Sequence, residues 1–322
     1  MPHIPTFKTG QYSPFYPNSA KQFAWDATSL TTFMKCPKKY ELFMLRQLTR
    51  KGSAKKDLRF GTLYHGALEL YDRCIADNKP HEIAQREMVH YCLLNTWDDR
   101  DENGEGGHPW YSGNEPQTND PYKNRETLVR AVVWYTEHFI NDNMKTLILS
   151  NGKPAVEYTF KLDIGDDLLY CGHLDKVAEM GGLNFISDKK TTKNTPGQYY
   201  FDQFDLNVQM SGYAMAGKMI FDIPIRGVII DVCQLMVNSV RFERRPTMRT
   251  EEQIVEWLKN AKTHIKHAHQ CADEDHFPMC ETSCMDYGGC EFRAICSADP
   301  RIRESIINSD FERKEWNPLE AR

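Results

Sequence analysis

The sequence predicts an α/β protein built on a central mixed β-sheet flanked by helices. Three observations carry this reading. Residues 155–162, 168–177 and 183–188 are short runs rich in β-branched and aromatic side chains, and Gly181-Gly182 marks a hairpin turn between the last two. Residues 225–235 form an apolar run of the kind a strand shows when buried on both faces. Apolar residues recur at helical spacing ahead of these runs, at Phe60, Leu63, Tyr64, Ala67, Leu68 and Tyr71, then within 80–97 and 125–141, and again after them in 201–221 and 250–271.

Composition narrows the class. The chain has 322 residues, 40% hydrophobic and 26% charged, ample for a buried core. Its 45 acidic and 40 basic residues give a net charge of −5. That excludes a general basic coat but not a local basic groove. There is no apolar run long enough to span a bilayer, so no membrane partner is expected. Met1-Pro2-His3-Ile4-Pro5 lacks the apolar core of a signal peptide, and a cytoplasmic location is expected. Ten cysteines in such a compartment point to a metal or cluster rather than to disulfides. No G-x-x-x-x-G-K-[ST] loop is present, so no ATP-driven motor is expected.

Taken in order, residues 1–22 are rich in Pro, Tyr and Ser and read as an extended arm. Asp26-Ala27-Thr28-Ser29 supplies helix caps before Leu30, Phe33 and Met34, and Cys36-Pro37 follows. His65 lies beside the apolar stripe of the next helix, where a core histidine is the ordinary occupant. Residues 66–150 read as a helical insertion interrupted by a long loop at 98–124, whose Trp110 and Tyr111 either pin it down or stack on bases.

In the strand after this insertion Glu157 faces away from Val156, Tyr158 and Phe160. Asp175 and Asp188 fall on adjacent strands. Asp188 and Lys190, two apart, share a strand face, while Lys189 points the other way and Lys176 reads as solvated. Paired carboxylates hold a hard divalent cation, Mg²⁺ or Mn²⁺, and a neighbouring lysine orients or deprotonates a water, the arrangement that metal-assisted phosphodiester hydrolysis needs. An isolated D-x-K is more often an exposed strand edge, so its surroundings carry the weight. Gln209 and Tyr213, four apart, share one face of the helix expected over 201–221. Arg241, Arg244, Arg245 and Arg249 form the densest basic cluster, either a phosphate contact or a solvated hairpin and cap. His264, His267 and His269 read as a solvated helical face. Cys280-x3-Cys284-x5-Cys290-x5-Cys296 is a strong metal signal. Either these four close a Zn²⁺ site, or some of them share a larger centre. Residues 297–322 read as a polar, weakly ordered tail.

The ordered set Cys36, His65, Asp175, Asp188-Lys189-Lys190, Gln209, Tyr213 and the terminal cysteines resembles the PD-(D/E)XK nuclease superfamily. Its context is similar to the RecB-like and AddB-like exonuclease branch, including CRISPR-associated and phage exonucleases. Leu174 stands where the motif's proline would be, and a five-residue gap replaces the branch's close C-x-x-C pair. The resemblance spans 23–296 as one nuclease domain with a restriction-endonuclease-like core at 151–240, and a cysteine-rich segment, 272–296, closing onto Cys36. It implies a metal-dependent DNA exonuclease acting on ends or single strands, with a helicase or recombination protein as a further partner. It implies Asp175, Asp188, His65 and the Lys189 carbonyl as metal ligands, Glu157 as an auxiliary one, and Lys190 as the water-activating residue. It implies Gln209 and Tyr213 as DNA contacts. It implies Cys36, Cys284, Cys290 and Cys296 around a [4Fe–4S] cluster, with Cys280 as the alternative ligand. A nucleic-acid-binding adaptor without turnover and a zinc-stabilised structural protein are the competing expectations.

Overall fold

A computed structural model of the chain describes residues 12–51, 56–98, 108–110, 120–285 and 289–320. Tyr111, Tyr287 and most of the expected loop at 98–124 lie outside these residues.

The elements run as follows. β1 is Ala24–Trp25, α1 is Ala27–Lys35, α2 is Pro37–Tyr40 continuing into a π-turn at Glu41–Leu45, and β2 is Leu48–Arg50. α3 (Lys56–Ala76), α4 (His81–Asn95), the two-residue strands β3 (Trp97–Asp98) and β4 (His108–Pro109), and α5 (Arg125–His138) form the helical segment. The sheet strands are β5 (Met144–Thr146), β6 (Val156–Gly165), β7 (Leu168–Met180) and β8 (Leu183–Thr192). After α6 (Gln198–Asp202) and α7 (Val208–Ile220) come β9 (Ile225–Leu235) and β10 (Val240–Thr247). α8 (Glu251–Asp273), α9 (Arg293–Ser297), α10 (Arg303–Asp310) and β11 (Phe311–Arg313) complete the chain.

Two compact units divide the chain, and the boundary falls within β6 and β7. One comprises Lys55–Tyr158 and Leu174–Met248, the other Met1–Ala54, Thr159–His173 and Arg249–Arg322. In the first, the sheet is mixed. β8 pairs antiparallel with β7 and parallel with β9, β9 pairs antiparallel with β10, and β5 pairs antiparallel with β7. The β7–β8 turn uses Gly181 and Gly182 at φ +61° and +79°, the left-handed pair a tight hairpin needs and glycine supplies without strain. β9 is buried along nearly its whole length, as its continuous Val/Ile run predicts. Helices α3, α4 and α5 pack through Phe60, Tyr64, Leu68, Met88, Leu128 and Val132.

In the other unit, Asp26 and Ser29 cap α1 reciprocally, and Thr250 and Gln253 do the same for α8. Ala24 and Trp25 of β1 pair parallel with Leu169 and Tyr170 of β7. His267 meets the Phe33 ring edge-on but stays exposed, whereas a ring nitrogen of the half-buried His269 lies 2.7 Å from the Gln22 carbonyl oxygen and leaves the solvated face. The stretch expected as a tail instead carries α10 and β11. β11 pairs antiparallel with β2, and Ile307 and Phe311 are buried against Leu42, Leu48, Phe292 and Ile295. The driving force is the apolar surface those side chains remove from water.

Candidate active site

Strands β7 and β8 position the site. Lys176 lies opposite Ser187 in their register, so strand alternation sends Asp175, Asp188 and Lys190 to one face and Lys176 and Lys189 to the other. Asp175 and Asp188 are 8% and 1% exposed. Leu174, in the place of the motif's proline, is fully buried.

Hydrogen bonds tie the set together. Asp175 Oδ2 accepts the Lys189 backbone N–H at 2.9 Å and lies 3.0 Å from His65 Nδ1. Lys190 Nζ sits 2.7 Å from Asp188 Oδ2 and donates to Gln209 Oε1 at 3.0 Å. Gln209 Nε2 in turn donates to the Tyr213 hydroxyl oxygen at 3.0 Å. The pair comes from α7 alone, not from one helix over 201–221. Asn207 accepts from the N–H groups of Gln209 and Met210 and starts a new helix there. The Gln209 carboxamide therefore relays from the helix to the lysine.

Glu157 reaches the same place by a distortion. Ligand atoms of His65, Glu157 and Asp175 all lie within 4.8 Å of one another. Glu157 has φ +46°, the left-handed region that a side chain enters at a cost of roughly 1–3 kcal/mol. The simple alternation expected of this strand fails at that residue, next to the site.

Electrostatics set the two aspartates apart. Burial pushes the Asp175 carboxyl up, but His65, Lys189 and Lys190 outweigh it and hold the group well below the usual carboxylate range. Burial also pushes Asp188 up. There Lys190 opposes the shift, the Asp175 charge adds to it, and the net displacement is upward. Burial alone would lower the His65 imidazole, and the Asp175 carboxylate more than reverses this. Lys190 meets Asp188 Oδ2 at 2.7 Å, yet burial and the Asp175 charge still leave the Asp188 carboxylate disfavoured. A further cation at the site would relieve that cost. Among the described residues the ligand atoms that converge are those of His65, Glu157 and Asp175, two carboxylates and an imidazole, a donor set that fits a divalent ion such as Mg²⁺ or Mn²⁺.

The cysteines are a separate matter. All ten are free, and Cys74, Cys92, Cys171 and Cys233 are core residues. Burial raises the Cys284 and Cys296 thiols, and Cys290 and Cys36 raise both further. Cys280 adds to the Cys284 shift as well, while its own thiol is lowered first by Thr282 and then by Ser283. The segments carrying Cys36 and the later cysteines meet through hydrogen bonds to main-chain carbonyls. Lys38 N–H donates to the Pro278 carbonyl at 3.0 Å, and Ser283 Oγ donates to the Lys35 carbonyl at 2.8 Å.

Sequence reasoning missed the reverse face of the hairpin. Lys176 is 5% and Lys189 2% exposed, so Lys176 is not solvated. Both reach Asp72 of α3, at 2.9 Å and 3.3 Å. Arg244 donates to Asp231 Oδ2 at 2.8 Å and pairs with Asp142, which makes it a structural ion pair rather than a phosphate contact. Arg241 and Arg245 lie beside Glu243 in a half-exposed hairpin. A signal was present: Asp-Lys occurs at 175–176 and again at 188–189, and alternation sends both lysines to one buried face.

A family model for the PD-(D/E)XK nuclease superfamily matches residues 24–297. No curated protein matches. Among solved structures, the crystal structure of SSO0001 aligns over 76% of this chain and 77% of its own at 11% identity and TM-score 0.30, too loose a likeness to carry an argument. Among the described residues no helix is long and apolar enough to cross a membrane. With the family match spanning most of its length, this chain belongs to the PD-(D/E)XK nuclease superfamily.

Proposed function

We propose that the protein is a Mg²⁺- or Mn²⁺-dependent deoxyribonuclease, an exonuclease acting on DNA ends or single strands in recombination, repair or phage DNA processing. The observation that carries this reading is the convergence of His65, Glu157 and Asp175 ligand atoms within 4.8 Å, with the buried Asp188–Lys190 pair beside them. Asp175, Asp188, His65 and the Lys189 carbonyl would hold the ion, with Glu157 as an auxiliary ligand. When bound, such an ion polarises a phosphate oxygen and lowers the pKa of a coordinated water. Lys190, fixed between Asp188 and Gln209, orients the attacking water. Gln209 and Tyr213 support the lysine and border the DNA path. Membership of the RecB-like branch, and a helicase or recombination partner, belong to this proposal.

The same reading assigns Cys36, Cys284, Cys290 and Cys296 to a [4Fe–4S] cluster. The cluster is favoured over Zn²⁺ because Cys36-Pro37 occurs where the RecB-like branch would need its first ligand. Protein purified without air should be brown and contain iron, and Cys36→Ser should lose both; zinc in a colourless protein would contradict this assignment.

The test of function is incubation with Mn²⁺ or Mg²⁺ and end-labelled linear DNA, single- and double-stranded, beside closed circles. Loss of linear DNA that disappears in Lys190→Ala is the expected result. Cleavage of circles would keep the site but make the enzyme an endonuclease. A folded, metal-binding protein that cuts none of these substrates would favour the binding adaptor.

A further inference from the structure

We infer that Asp72 is a positioning residue for the metal site: from the reverse face of the β7–β8 hairpin it clamps the two lysines that follow the two metal-binding aspartates. The inference rests on the reading of Asp175 and Asp188 as metal ligands. Three observations lead to it. First, Asp72 Oδ1 takes Lys176 Nζ at 2.9 Å while Oδ2 takes Lys189 Nζ at 3.3 Å, so a single carboxylate bridges both strands. Second, each lysine is the immediate chain neighbour of a site aspartate, Asp175-Lys176 and Asp188-Lys189. Fixing a lysine side chain on one face fixes the backbone that carries the aspartate on the other. Third, Lys189 acts through its main chain as well, because its N–H donates to Asp175 Oδ2. A shift of Lys189 thus moves Asp175, Asp188 and the Lys189 carbonyl together.

The clamp is built for rigidity. Side chains of Lys176 and Lys189 are 7% and 3% exposed and that of Asp72 is 13% exposed. Burial opposes the charge on Asp72, yet the two lysines overcome it and hold the carboxyl below its ordinary value. Asp231, opposite Lys189 in the β8–β9 register, contributes to holding the Lys189 ammonium charged. Lys176, Lys189 and Arg244 are thereby balanced by Asp72, Asp231 and Asp142. Asp72 also lies seven residues after His65 on α3, two helical turns along the same stripe. One helix therefore supplies both a ligand and the clamp.

A purely structural role would make Asp72 matter for stability alone. The discriminating variant is Asp72→Asn combined with Lys176→Met. It removes one buried charge of each sign, so the charge imbalance of the single variant is relieved, but Lys189 has lost its carboxylate. We expect this double variant to melt near the wild-type temperature while binding Mn²⁺ about 10- to 100-fold more weakly by titration calorimetry, the loss typical when support behind a metal's ligands is removed. The Lys189 amide should also exchange hydrogen faster. Mn²⁺ affinity within about twofold of wild type would overturn the clamp. If the double variant does not fold, Asp72→Glu is the arm to read: an altered reach should weaken Mn²⁺ binding, and unchanged binding with unchanged Lys189 exchange would overturn the inference. Wild type that binds Mn²⁺ without cutting DNA would refute the nuclease reading and leave the clamp standing.

Discussion

The two faces of the β7–β8 hairpin are both buried and both charged, yet they are finished differently. On the reverse face every cation has a carboxylate: Lys176 and Lys189 share Asp72, and Arg244 is held by Asp231 and Asp142. Asp231 leaves one oxygen unbonded, but its other oxygen accepts from both the Tyr135 hydroxyl and Arg244. On the front face Asp188 meets Lys190, which also serves Gln209, and burial still leaves its charge disfavoured on balance. A balanced network holds strands in place. An unfinished one marks where a ligand completes the structure, and its incompleteness costs stability that activity requires. The comparison therefore separates residues that build the site from residues that use it, although alternation places them one position apart.

The comparison can be broken most sharply at Lys190. Lys190→Ala should lower cleavage about 10²- to 10⁴-fold in a gel assay with saturating metal. On the reverse face, Asp72→Asn leaves two buried lysines without their shared carboxylate and should cost about 3–5 kcal/mol by denaturant unfolding. Asp188→Asn should do the opposite: in a metal-free protein it should raise stability by about 1–3 kcal/mol, because a buried carboxylate whose charge is disfavoured despite Lys190 is replaced by an uncharged amide. Gln209→Leu is expected to have the smallest effect, about tenfold in rate, because it frees Lys190 without removing it.

Acidity should separate the faces by sign. Asp72 has a depressed folded pKa, so its contribution is complete above its unfolded value of about 3.9 and is lost as pH falls through the folded value. The deficit of Asp72→Asn should thus shrink below about pH 4. Asp188 has a raised folded pKa, so its protonation favours the fold. Its contribution is present below about pH 3.9 and is lost as pH rises through the folded value. The advantage of Asp188→Asn should therefore grow as pH rises from 4 in chelator-treated protein. Urea denaturation of the three proteins across this range checks both signs.

Much of the fold was legible because its signals are local. Gly181-Gly182, the Ile/Val run of β9, the Asp26 cap and the apolar stripe of α3 each encode their element within a few residues. The front face was legible for the same reason, since a two-residue spacing fixes which side chains share a strand face. What was not legible depends on distant partners. Asp72 looked like one acidic residue on a helix until Lys176 and Lys189 met it. The reversal at Glu157 is a backbone conformation that no residue type at 157 announces. α10 and β11 went unread because Ile307 and Phe311 are sparse among polar residues, and only Leu42, Leu48 and Phe292 give them something to bury against. The break before α7 did have a local sign, Asn207 as a cap, which the apolar continuity of 201–221 obscured.

The central claim is that the unfinished front face is completed by a divalent ion. The most direct measurement is Mn²⁺ titration calorimetry on wild type and Asp188→Asn, each first stripped with chelator and checked for folding. Saturable binding in wild type that is lost in a variant at least as stable as its parent is the predicted result. Equal Mn²⁺ binding by both proteins, or none by wild type, would contradict it.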